Sequence, residues 1–156
     1  MSNFIDALGR EWSFSITVIE VKRLREEIKI DLLDFASEKA DQMFSRLATD
    51  PVLLVDLMSI LLTDQIKERG LDERGFALGL VGEGLDNATG ALIREVANFS
   101  GPHRGKLILA AWNQVTTGMR AATAIAEKRL AAMDIEAIAT KRFDAAFAQA
   151  QEKYGV

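Results

Sequence analysis

His103, in the run Gly-Pro-His-Arg-Gly-Lys at 101–106, is the one histidine of the chain, and there is no cysteine. A histidine base needs a nucleophile to deprotonate and a third group to orient it, and no such grouping is written around this one, so a surface or capping role at a helix start is expected. The same shortage excludes histidine clusters, thiolate nucleophiles and cysteine-based zinc or iron–sulfur sites. Carboxylate pairs remain as oxygen donors for calcium or magnesium, Asp31 with Asp34 and Glu83 with Asp86, but neither follows the D-x-D-x-D-G loop spacing. The segment 79–90, GLVGEGLDNATG, offers bare backbone of the kind that cradles phosphate; no GK[ST] follows it and no strand precedes it, so a flexible joint between helices is expected instead. Asn87-Ala88-Thr89 matches the glycosylation triplet in pattern only. Asn113, Gln114 and Thr116 are the polar residues that could converge on a ligand inside a helical bundle. No catalytic residue, cofactor-binding residue or metal ligand is assigned, no cofactor is expected, and a non-enzymatic role follows.

The elements that must position these residues belong to a chain of 156 residues, a one-domain length able to bury a core without staples. Hydrophobic residues make up 49% and charged residues of mixed sign 27%, which fits a folded globular protein rather than a disordered one. A net charge of −4 and a pI near 5.1 speak against tight binding to nucleic acid, which needs a basic patch to displace counterions. Lys22, Arg23 and Arg25 are followed at once by Glu26 and Glu27, as on a solvated helical face. The N-terminus lacks the basic and long apolar regions of a signal peptide, and no apolar run approaches the ~20 residues of a membrane span. A cytoplasmic protein that binds neither membrane nor nucleic acid is expected.

Trp12, Phe14 and Ile16 alternate with Ser13, Ser15 and Thr17, which predicts a β-hairpin with strands near 3–7 and 11–16, turning at Leu8-Gly9-Arg10. A lone hairpin is marginal in water, so its aromatic face must lie on a helix or its edge must pair with another copy. Thr17 and Glu20 write a capping box for a helix burying Val18, Val21, Leu24 and Ile28. Ile30–Phe35 breaks the helical rhythm, and Ser37 is expected to cap a helix over 38–48 that buries Ala40, Phe44 and Leu47. Asp50 and Pro51 open the next helix, whose stripe of Val52, Val55, Met58, Leu61, Leu62 and Ile66 runs to a stop at Gly70. Asp72 caps a further helix carrying Phe76 and Leu80. Leu85, Ala88, Leu92, Val96 and Phe99 mark another, ended by Ser100-Gly101-Pro102.

From His103 to Met133 a single long, alanine-rich helix is predicted, with Ile108, Trp112, Val115, Met119, Ala122, Ala126 and Met133 on a seam of coiled-coil-like spacing. Asp134 can cap a last helix over 135–154, with Ile135, Ala139, Phe143, Ala146 and Ala150 as its stripe, and the short connection predicts an antiparallel hairpin. The fold class is mainly α with a short N-terminal β-hairpin, a helical bundle with a long C-terminal helical hairpin. Residues 1–101 form the hairpin and helical part, and 102–156 an Ala-rich arm of the same domain. Ile108, Trp112, Val115 and Met119 are the candidate partner-binding residues, since aromatic and methionine side chains make adaptable binding surfaces; the same spacing also suits a core.

The order of these pieces carries a resemblance: GREW at 9–12, VKRL at 21–24, IDLLD at 30–34, then LATDPVLLVDLMSILLTDQIKERGLDERGF at 47–76. Over residues 4–99 the chain resembles the tail assembly chaperones of long-tailed phages and prophages. The resemblance implies a protein of the host cytoplasm, absent from the finished particle, that binds the helical tape measure protein, keeps it soluble and helps recruit tail tube protein. The Ala-rich region after Gly101 departs from the family, and no functional residue is carried over. The alternatives are a structural virion component, a homo-oligomer assembling through the hairpin edge and the long seam, and a small helical ligand-binding regulator.

Overall fold

A computed structural model describes residues 1–133 and 135–154, with side chains for 1–133 and 141–153. The fold is mainly α with a two-stranded antiparallel hairpin at the N-terminus. It divides into two compact units, Met1–Thr116 and Thr117–Val156.

Strand β1 (Ser2–Ile5) pairs with β2 (Glu11–Phe14), with Phe4 opposite Trp12. Strand alternation sends Phe4, Trp12 and Phe14 into the core. Against the predicted 3–7 and 11–16, β2 ends at Phe14, opposite Ser2 where β1 begins, and β1 ends at Ile5 because Asp6 turns its carboxylate back onto the chain. Its oxygens accept from Leu8 N (2.9 Å), Arg10 N (3.0 Å), Arg10 Nε (2.7 Å) and the Trp12 indole Nε1 (2.9 Å), and the side chain is wholly out of solvent. Arg10 passes the charge on, donating to Gly75 O at 3.0 and 3.1 Å and to Phe76 O at 3.2 Å. Trp12, itself fully buried, meets Phe76 edge-on at 5.0 Å and carries the Arg69 guanidinium over its ring at 4.1 Å. Burial alone would raise the Asp6 pKa; the hydrogen bonds from Trp12, Arg10 and Leu8 outweigh it and hold the carboxyl below its ordinary 3.8.

Both outer edges of the hairpin are closed by side chains from helices. Asn87 Nδ2 donates to Ile5 O (3.0 Å) and Arg94 to Asn3 O (3.5 Å) along β1. Along β2, Gln65 brackets the Ser13 peptide, accepting from its N–H and donating to its carbonyl, and Arg69 donates to Glu11 O. An unpaired strand edge is a template for another chain, and here the template is occupied.

Helix α1 (Val18–Glu27) begins at the predicted capping box of Thr17 and Glu20. Val21 and Leu24 are buried; Val18, expected with them, is 71% exposed, because the inward stripe starts a turn later than the first helical residue. After a 3₁₀ helix at Leu32–Ala36, Ser37 Oγ accepts from Lys39 N (3.1 Å) and closes a turn of its own. Helix α2 (Ala40–Thr49) therefore starts two residues later than the predicted 38, burying Phe44 and Leu47 while Ala40 stays half-exposed. Helix α3 (Pro51–Leu61) has the expected cap, Asp50 Oδ1 accepting from Leu53 N (3.1 Å), with Pro51 in its first turn. Its buried side is Leu53, Leu54, Leu57 and Met58, and Val52 is 66% exposed. The helix is apolar almost all round, so periodicity alone did not fix which side faces inward. Nor does it run unbroken to Gly70: Thr63 Oγ1 donates to Ser59 O (2.9 Å) and Ile60 O (2.8 Å), and the chain restarts as α4 (Thr63–Glu68). Gly70, at φ 65°, then ends α4 with a paired C-cap, Gly70 N donating to Lys67 O and Leu71 N to Ile66 O, both at 3.0 Å.

Asp72 caps the short α5 (Glu73–Ala77), which places Phe76 under Trp12. Two of the glycines that follow are closely packed. Gly79 O accepts from Ala7 N (2.9 Å), and a Cβ on Gly79 would stand 2.2 Å from Asp6 Oδ2. A Cβ on Gly84 would stand 2.2 Å from Gly79 O and 2.5 Å from Ala7 N. Gly84 thus serves close approach of backbones and Gly79 makes room for the Asp6 carboxylate, while Gly82 takes a positive φ of 52° in open space. Helix α6 (Glu83–Ser100) then runs along β1, burying Ala88, Leu92 and Val96 as predicted, together with Glu95, which accepts from Ser2 Oγ (2.8 Å), Ile16 N (3.3 Å) and Asn98 Nδ2 (3.3 Å). Gly101, at φ 86°, breaks the chain into α7 (Pro102–Ala132), and α8 (Ile135–Tyr154) follows. The first unit continues to Thr116 rather than ending at the expected Gly101, because Gly105 and Ile108 are buried in it. The expected cap at Asp134 lies outside the described residues, as do the side chains of Ile135 and Ala139. Every described side chain of the second unit is exposed.

Two outcomes follow for stability. Gly84→Ala forces two backbones apart and is expected to cost about 1–3 kcal/mol in urea unfolding, with little change in slope. Asp6→Asn is expected to cost about 2–3 kcal/mol at pH 7 by weakening charge-assisted hydrogen bonds. Because the folded pKa of Asp6 is lowered, the unfolded chain binds the proton more readily; its contribution is complete above about pH 4 and is lost as pH falls through the lowered value. The Asn variant should therefore lose less stability than wild type on acidification below pH 4.

Candidate protein-interaction surface

The residues with chemical potential do not meet. His103 is exposed in the first turn of α7. Asp31 caps the 3₁₀ helix through Leu33 N and pairs with Arg25 at 2.8 Å, so its carboxylate is already engaged. Glu83 and Asp86 are exposed in the first turn of α6. Among the described residues no three His, Cys, Asp or Glu side chains are grouped as a metal site would require. Asn113 and Gln114 point to solvent, and Thr116 donates to Trp112 O and Asn113 O of its own helix, both at 3.1 Å. These residues define no ligand pocket.

What remains is apolar surface, and α7 sorts it. Ile108 is 1% exposed, inside the core of the first unit. Trp112 is half-buried, its ring tilted against Phe44 with centroids 5.9 Å apart, and Phe44 in turn meets Phe35 at 5.2 Å. Val115 is half-buried against the same core, while Met119 is 43% exposed. Five turns of α-helix take 18 residues, so Ala126, Leu130 and Met133 lie on the helix face of Ile108, Trp112 and Val115. Leu130 is 58% and Met133 51% exposed. The stripe is thus core in its first half and open in its second. Of the four candidate partner-binding residues, Ile108 is not accessible, Trp112 and Val115 are engaged by their own unit, and Met119 begins the open half. Spacing could not have separated them, because the apolar period is the same on both sides of Thr116.

A second apolar feature went unseen in the sequence. The end of α3, with α4 and the start of α5, encloses a groove of about 360 Å³ between Ile28, Ile60, Ile66 and Leu71. The break between α3 and α4 at Leu62 borders it, and no glycine or proline stands there. Ser59 lines the groove, and its Oγ is buried without a hydrogen-bond partner.

Among the described residues no helix is long and apolar enough to cross a membrane. No family model matches the chain, and no curated protein or solved structure shows significant similarity to it.

Trp112→Ala removes the ring that covers Phe44 and is expected to cost about 2 kcal/mol, less than a fully buried aromatic, with a fall of several degrees in Tm. Met119→Ser should leave Tm within a degree or two, so the pair of melting curves separates the covered half of the stripe from the open half.

Proposed function

We propose that the chain is a non-enzymatic assembly chaperone or adaptor that covers the apolar stripe of a helical partner. The observation that carries this reading is the open half of the α7 stripe, Met119, Ala126, Leu130 and Met133, on the same helix as a first half already used for packing. Exposed apolar faces of this extent are docking surfaces for an amphipathic helix, read at the i, i+3, i+4, i+7 positions. The resemblance of residues 4–99 to tail assembly chaperones names the partner class: the tape measure protein, whose long amphipathic helices need cover until tube subunits enclose them, and the tail tube protein that follows. Cytoplasmic action during assembly belongs to the same reading.

The alternative is a structural virion component that self-assembles through the hairpin edge and the long seam; both edges are filled by Asn87, Arg94, Gln65 and Arg69, which leaves it only the open half of the seam. Co-expression with a phage tape measure protein is expected to raise that protein's soluble fraction and to copurify the two. A triple variant, Met119→Asp with Leu130→Asp and Met133→Asp, should keep the wild-type melting temperature of the first unit and lose the effect. If the tape-measure protein stays insoluble with the wild-type chain, or the triple variant protects it equally well, the proposal fails.

A further inference from the structure

Gly118 stands inside α7 for no steric reason. It is exposed, its φ is not positive, and a Cβ there would meet nothing within 4 Å. Every other glycine among the described residues either takes a positive φ or has a neighbour within that distance. In a helix interior glycine lowers the helix–coil equilibrium about fivefold relative to alanine. Thr116 and Thr117 precede it, both β-branched and poor helix formers. Thr116 Oγ1 donates to Trp112 O and Asn113 O, both at 3.1 Å, competing with the backbone for the carbonyls of its own helix. The same pattern, Thr63 Oγ1 to Ser59 O and Ile60 O, stands where α3 gives way to α4. Packing ends here as well: Val115 is the last hydrophobic residue of α7 against the core, and the first compact unit closes at Thr116. Beyond Gly118 the alanine-rich stretch 119–132 restores strong helix propensity.

From this we infer that Thr116–Gly118 is a hinge built into α7, a turn that opens while helix persists on both sides of it. The i to i−4 bonds that span these three residues are those donated by the amides of 117–121, so these bonds open together. Ile108, Trp112 and Val115 keep their packing through the opening. The open stripe from Met119 to Met133 is then released from the heading of the covered one. Simple fraying is a different event, because it lowers protection steadily toward the far end of a helix rather than at an interior turn. The inference concerns the helix itself and stands whether or not a partner covers the stripe.

Residue-resolved amide hydrogen exchange of the full chain tests it. In the wild type, protection is expected to pass through a minimum at 117–121 and to rise again over 123–130. Gly118→Ala should raise protection at 117–121 about fivefold and leave 106–112 unchanged. The chain has no cysteine, so nitroxide labels at Gln114→Cys and Lys128→Cys, both exposed positions, report the same event as a distance. A straight helix holds their Cα atoms about 21 Å apart. The wild type should give a broad distribution of distances, and Gly118→Ala a narrow one near that separation. Protection without a minimum at 117–121, a single narrow distance in the wild type, or a Gly118→Ala chain that matches the wild type in either measurement overturns the inference.

Discussion

Everything around the hairpin depends on one carboxylate that must never meet water. Asp6 sits where the strand pair turns, and its oxygens gather the turn N–H groups, the Arg10 guanidinium and the Trp12 indole N–H. A buried charge is tolerable only when it is paired and its remaining lone pairs are filled, and both conditions are met within seven residues of sequence. The pairing then reaches outward. Arg10 has donors left over, which find the carbonyls at the end of α5. That fixes Phe76 against Trp12, and Trp12 in turn holds Arg69. The Asp6 and Arg10 side chains leave no room for a Cβ at Gly79, and the Gly79 and Ala7 backbone leaves none at Gly84.

The parts of this arrangement that could be read from the sequence are the ones written locally. Thr17 with Glu20, Asp50 with Pro51, Gly70 and Asp72 each satisfy a backbone group within a few positions of themselves, so spacing suffices to place them. The Asp6 network escaped because half of it lies 65 residues away at Gly75. The close packing of Gly79 and Gly84 is not legible in the sequence, because glycine is used both for freedom and for contact, and only a neighbour in space tells the two apart. In α3 the abundance of leucine and valine hides the direction of the core. The break at Leu62 carries no glycine or proline to announce it, and with it the groove escapes sequence reading. For the candidate surface, the α7 seam was legible as apolar but not as covered or open, since burial is a property of what else is present.

Segment 47–76 serves two purposes at once. Leu53, Leu54, Leu57, Met58, Leu62 and Phe76 are buried in the core, while Ile60, Ile66 and Leu71 line the groove. The open apolar side chains of α7 lie elsewhere, at Met119 and Leu130, so a change there leaves this core untouched.

The side chains that close the hairpin edges also set an order of events. Strands β1 and β2 are synthesised before the groups that shield them, which come from Gln65, Arg69, Asn87 and Arg94. The separation between Asn87 and the carbonyl it covers is 82 residues, and that between Ser2 and Glu95 is 93. Contacts of such sequence distance form late, after the loop entropy between them has been overcome. During synthesis the hairpin therefore waits for α6 before it is covered, and for that interval the nascent chain presents bare strand edges and an uncovered tryptophan.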